Sequence, residues 1–179
     1  MRKLTCDPKI EVLGAPLIAN IENINADEIM PYLRKHHLDH VNPDKWYPLI
    51  DFLDVLNDMA EGHNLSSRLV GIGVEIFRTI KMPPELEHAS LPEILNTWND
   101  LYHMQHRGGD IGYVKVEQVD STHYKTIHKN LYPDDMLYGV AYGMARRFAP
   151  KGSNYKVYYD EKVQRADDGG KETVIHIQW

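Results

Sequence analysis

Apolar residues in the first hundred positions recur every three or four residues. After Gly108 and Gly109 they begin to alternate, which predicts a mainly helical part followed by a mixed one. Residues 26–38 read as a helix capped by Asn25. Asp27 and Glu28 stand in its first turn and RKHH at its other end, each suited to the pole of the helix dipole it would occupy. "NPDKWYPLIDFLDVLNDMAEG" predicts a turn and a second helix, with Leu49, Phe52, Leu53, Leu56 and Ala60 on one face and Gly62 ending the run. Leu65, Leu69, Ile72, Ile76 and Ile80 form a third stripe, stopped by Pro83 and Pro84. Ser90 or a neighbour caps a fourth helix over about 91–107, with Ile94, Leu95, Trp98, Leu101 and Tyr102 facing inward.

Beyond the double glycine, "YVKVEQV" and "HYKTIH" predict the two arms of a hairpin. "YPDDMLYGVAYGMARRFAP" keeps the 3.6-residue period through Leu137, Val140, Ala141, Met144, Ala145 and Phe148 and closes at Pro150. Gly139 and Gly143 each lower helix propensity by roughly 1 kcal/mol, so this helix should lie tight against the sheet or a ligand. "YKVYYDEKV" and "ETVIHIQW" then predict two closing strands joined by the turn "ADDGG". The expected fold class is α+β: one domain over 1–179, with a helical subdomain over 1–107 packed on an antiparallel ββαββ unit over 108–179.

Composition narrows the function classes. At 179 residues the chain can bury a sizeable core without staples, and 42% hydrophobic with 26% charged residues is that of a globular domain. A formal net charge of -6 with scattered Lys and Arg argues against nucleic acid as the main partner. A single Cys6 excludes an intramolecular disulfide framework. With no apolar run of signal-peptide type and no stretch of membrane-spanning length, a cytoplasmic location is expected.

No strong catalytic motif is present. There is no HExxH, and neither "LGAP" nor "GIGVE" reads as a glycine loop between a strand and a helix. Cys6 sits near a terminus expected to move, which disfavours a nucleophile. Asp134/Asp135 and Asp167/Asp168 read as a helix-start pair and a turn pair. In "RKHHLDH" the spacing of His36 and His40 allows a shared metal ion, while a polar helix end explains the same residues without one. His103 and His106 close the fourth helix, where either a ligand to a metal or heme iron or a partner of the helix dipole is expected. His123 and His128, an odd number apart, should face opposite sides of their strand.

The order "DKWYPLIDFLDVL", "LVGIGVEIF", "LPEILNTWNDLYHMQHRGGDIGYVKVEQV" and a tail ending "VIHIQW" resembles the superfamily that unites heme nitric-oxide/oxygen-binding (H-NOX) domains with 4-vinyl reductase-type ligand-binding domains. The resemblance runs from about residue 10 to the C-terminus. Its sharpest piece is "HYKTIHKNLYPDDMLYGVAYGMARRF", where the family's Tyr-x-Ser-x-Arg propionate motif is matched by Tyr124, Thr126 and His128. Threonine keeps the hydroxyl, whereas histidine lacks the planar fork with which arginine grips a carboxylate. The resemblance implies His103 as the axial ligand to a heme iron, with His106 as second choice. The cysteines that 4-vinyl reductase-type relatives carry in the C-terminal hairpin are missing here.

The function implied is a sensory module that binds a small hydrophobic ligand or tetrapyrrole, such as heme, between helices and sheet, and signals through a separate partner. A cofactor-free homodimeric interaction domain is the competing expectation. An enzyme comes third, because no residue set stands at catalytic spacing.

Overall fold

A computed structural model describes residues 1–21, 26–60, 65–79 and 82–179. The expected caps Asn25 and Gly62, the side chains of Asp27 and Glu28, and Ile80 lie outside what it describes. The elements run β1 (Glu11–Leu13), α1 (Gly14–Ile21), α2 (Ala26–Lys35), β2 (Trp46–Pro48), α3 (Leu49–Met59), α4 (Leu65–Thr79), α5 (Leu91–Met104), β3 (His106–Arg107), β4 (Gly112–Asp120), β5 (His123–Asn130), α6 (Asp134–Phe148), β6 (Lys156–Tyr159) and β7 (Thr173–Gln178). This is the expected α+β architecture, with N-terminal helices packed against a C-terminal antiparallel unit.

The four-stranded sheet has the order β4-β5-β7-β6, antiparallel throughout. Along β5 the buried residues are Tyr124, Thr126 and His128, so the motif strand turns these three toward the core and His123 outward. Leu49, Phe52, Leu53, Leu56, Ile94, Leu95 and Trp98 are buried as the 3.6-residue stripes require. Ala60 instead ends α3 as an exposed cap.

Several expectations are corrected. The helical part contains a second sheet, β2-β1-β3, whose strands of two or three residues are too short to show an alternating pattern. α5 therefore stops at Met104, and His106 pairs with Val12 as a strand residue. α2 stops at Lys35, and His37 takes a left-handed backbone, φ 58°. "LGAP" does join a strand to a helix, but a Cβ on Gly14 would lie 2.0 Å from the Asn42 carbonyl oxygen, so this glycine admits a neighbouring loop. The N-terminal segment is tied down: Leu4 N–H donates to Asn57 Oδ1 and Asn57 Nδ2 donates to Leu4 O, both at 2.9 Å. Cys6 is half-buried there, and burial raises its thiol pKa.

Gly139 and Gly143 serve a helix contact rather than a sheet or ligand contact. A Cβ on Gly139 would stand 2.2 Å from Val70 O, and one on Gly73 2.1 Å from Met136 O, so α4 and α6 touch backbone to backbone. The β6–β7 connection is longer than a tight turn and carries a 3-10 turn, Ala166–Asp168. Within it Asp167 and Asp134 cap each other's backbone: Asp134 N–H donates to Asp167 Oδ2 (3.0 Å) and Asp167 N–H to Asp134 Oδ2 (2.8 Å). Among the described residues no helix is long and apolar enough to cross a membrane.

Candidate functional site

α4, α5 and α6 line a partly open cavity of about 80 Å³ against β4 and the segment leading into α6. Phe77, Trp98, Leu101, Met136, Leu137 and Val140 form apolar walls, and among the described residues no lining side chain is ionised at neutral pH. A more open groove of about 400 Å³ lies by Arg78, Gly143 and Arg146 at the far end of α4 and α6. Solvent competes there for every polar contact.

The polar corner of the cavity is built by Tyr102, His106, Asn130 and Tyr132. His106 Nδ1 lies 2.7 Å from the Tyr102 carbonyl, an acceptor, so that nitrogen carries the proton. Nε2 then presents a lone pair to the Tyr132 hydroxyl, also at 2.7 Å, and the phenol donates. Burial drives His106 down from 6.5 to about 4, and the hydrogen bond to Tyr102 O offsets only part of that shift. Burial also raises the Tyr132 phenol pKa well above its ordinary value, so this pair is neutral at pH 7.

Asn130 supplies the group that matters most. Its Oδ1 accepts from Tyr132 N–H at 3.2 Å, which fixes the amide orientation, and its buried Nδ2 has no protein partner. Arg2 holds the segment in place by donating to the carbonyls of Asn130 and Tyr132, both at 3.0 Å. Asn130 is thus a lining residue of a cavity with apolar walls, and its amide nitrogen is an unmatched donor. An unmatched buried donor costs roughly 1–3 kcal/mol until an acceptor meets it.

The residues expected from sequence fall in three places. His103 is exposed, its Nε2 3.1 Å from Gly112 O, outside the cavity. His106 lines the cavity with both nitrogens engaged. Tyr124, Thr126 and His128 share the inner face of β5 beyond the cavity walls. Tyr124 stacks on Trp179 (centroids 5.5 Å) and Thr126 Oγ1 donates to Ile175 O (3.3 Å). His128 Nε2 reaches Thr126 Oγ1 at 2.8 Å, leaving Nδ1 buried without a partner, and the ring meets Trp98 edge-on at 4.9 Å. Burial takes His128 down to about 3, so it carries no charge. Asn130 had no signal in the sequence, since its role depends on an unmatched amide rather than on a motif.

In "RKHHLDH", His36 Nε2 pairs with Asp58 at 2.7 Å while the His40 side chain is 93% exposed. Among the described residues no group of three His, Cys, Asp or Glu converges on a metal position.

These features define a small α+β fold with an apolar cavity lined by its helices and an antiparallel sheet. The fold is that of H-NOX proteins. A structure from work on heme distortion in the H-NOX family superposes with a TM-score of 0.70 at 15% identity, covering 93% of this chain and 94% of that one. A mutant H-NOX of T. tengcongensis gives 0.67 at 15% (92% and 93%), and an S. oneidensis H-NOX in the Fe(II) ligation state gives 0.67 at 12% (93% and 95%). No protein-family model and no curated protein matches the chain.

Heme does not fit the residues present. The cavity is far below the roughly 300–1,000 Å³ of pockets that hold drug-sized ligands. Among the described residues no histidine aims a free nitrogen into it, and no cation stands on the Tyr124–Thr126–His128 strip to meet a propionate.

Proposed function

We propose that this chain is a ligand-binding sensory module of H-NOX fold that takes a small neutral molecule, with a hydrogen-bond acceptor, in place of an iron tetrapyrrole. The observation that carries this reading is an apolar cavity, with no ionised side chain among its described walls, that is lined in part by Asn130, whose Nδ2 has no partner. About 80 Å³ is roughly half the volume that accommodates benzene in an engineered protein cavity, so the ligand is smaller than benzene, with about three to five heavy atoms, as in a short ketone or alcohol. Its acceptor meets Asn130, and its carbon atoms meet Trp98, Met136 and Val140.

The role is binding rather than catalysis. Occupancy is felt by α4, α5 and α6 together, and the backbone contact of α4 with α6 leaves no slack to absorb a shift. That contact is the route by which a separate partner would sense the ligand.

Butan-2-one is a suitable probe, followed by the indole N–H resonance of Trp98, which lines the cavity and is present in the native chain and in both variants. Saturable shifts are expected in the native chain, weaker binding in Asn130→Leu, and none in Val140→Phe, which fills the space. Equal shifts in all three would refute the site.

A further inference from the structure

Three strands bring His123 (β5), Tyr158 (β6) and His176 (β7) together on the outer face of the four-stranded sheet, away from the cavity. Register places Tyr158 opposite His176, and His176 opposite Lys125, two residues from His123. His123 Nε2 and His176 Nδ1 lie 2.8 Å apart, and the Tyr158 hydroxyl is 3.5 Å from the same His123 nitrogen. The Tyr158 ring lies flat on His176, centroids 5.0 Å apart at 4°. On its other side His176 Nε2 meets Asp160 Oδ2 at 3.1 Å. A carboxylate only accepts, so Nε2 carries the hydrogen and Nδ1 directs its lone pair at His123. Lys125, on the same face, is drawn away by Glu117 at 2.7 Å.

We propose that His123 and His176 form a surface site for a divalent first-row transition metal, with the Tyr158 oxygen as third donor and water completing the shell. A carboxylate behind a histidine is the arrangement that fixes the tautomer and orientation of a metal-binding imidazole, and Asp160 stands in that position. Because Asp160 lies behind His176 rather than beside the ion, the site has two histidines and a phenol rather than three ligands of the His, Cys, Asp and Glu type.

Bonds of about 2.0–2.1 Å to two nitrogens hold them roughly 2.9 Å apart at a right angle and roughly 3.3 Å apart in a tetrahedron. The observed 2.8 Å is an N–H···N hydrogen bond between the rings, so the two nitrogens already lie within the span one ion needs, and copper(II), the tightest-binding divalent ion of the first row, is the probe. The imidazoles now meet end to end across one shared proton, with centroids 5.0 Å apart. Admitting an ion therefore requires ring rotation. His123 begins β5 beside the exposed Ser121–Thr122 turn and is only half-buried, so its side chain can turn without moving the sheet.

The test is titration of the whole chain with copper(II) sulfate, read by calorimetry and electron paramagnetic resonance. One ion per chain with two-nitrogen superhyperfine structure is expected. His123→Ala or His176→Ala should lower affinity at least about tenfold, and Asp160→Asn by about 10–100-fold. His176→Gln serves where His176→Ala does not fold, and melting without metal identifies that case. A triple His36→Ala, His37→Ala, His40→Ala variant should bind as the native chain does. Unchanged binding in the His123→Ala, His176→Ala double variant, or its loss in the triple variant, would overturn the assignment.

Discussion

Lowering the pH from 7 to 5 should cost the fold about 4 kcal/mol through two histidines that stay neutral inside it. His106 is held at about 4 and His128 at about 3, against 6.5 for an unperturbed side chain. In the unfolded chain both take up a proton as the pH falls through 6.5; in the folded chain neither does so until about pH 4 and about pH 3 respectively. The unfolded state therefore binds more protons across this window, and stability falls with falling pH. At pH 5 each histidine lies about 1.5 pH units below its unfolded value, worth about 2 kcal/mol. Both are buried, so solvent screening removes little of this. Asp58 and Asp160 sit below their usual 3.8 because of their His and Lys partners, and their contribution is lost only at lower pH. Asp51 and Asp167 are raised, mainly by burial, and act with the opposite sign. Comparing the native chain with His128→Leu separates these effects. Urea unfolding at pH 7, 6 and 5 should show the variant losing about 2 kcal/mol less than the native protein. The variant also removes an unpartnered buried nitrogen, so it should be no less stable at pH 7 than the modest volume change dictates. An identical loss in both proteins would refute the neutral, buried state of His128.

Two glycines on α4 and α6 should respond in opposite ways to the same substitution. Gly139→Ala drives a methyl into Val70 O and should cost about 3 kcal/mol or more, whereas Gly71→Ala meets nothing within 4 Å and should gain roughly 1 kcal/mol from helix propensity; equal midpoints in urea would contradict the backbone contact. Added hemin should give no Soret band that depends on His103. A stoichiometric band abolished by His103→Ala would instead restore the tetrapyrrole reading. The butan-2-one and copper(II) titrations test the cavity and the outer sheet face independently, because their residues share no hydrogen bond.

The long elements were legible in the sequence because burial on one side imposes a period that a run of eight or more residues displays. The stripes of α3, α4, α5 and α6 and the alternation of β4 and β5 are such cases. The same alternation correctly separated His123 from His128. Strands of two or three residues cannot show a period, so β1, β2 and β3 and the early end of α5 emerged only from chain segments meeting in space. Gly139 and Gly143 announced a close approach, but what approaches is α4, a partner chosen by packing over long sequence distance. The candidate sites lie further still from local pattern. His103 stood out by position on its helix, yet its rotation around that helix points it outward. Asn130 carries no motif, and its significance arises because Tyr132 takes its oxygen and the walls of three helices leave its nitrogen unmatched. Local sequence determined which faces are apolar and where the long elements run. Only the tertiary structure decided which polar atoms are left without partners, because that depends on every neighbour at once.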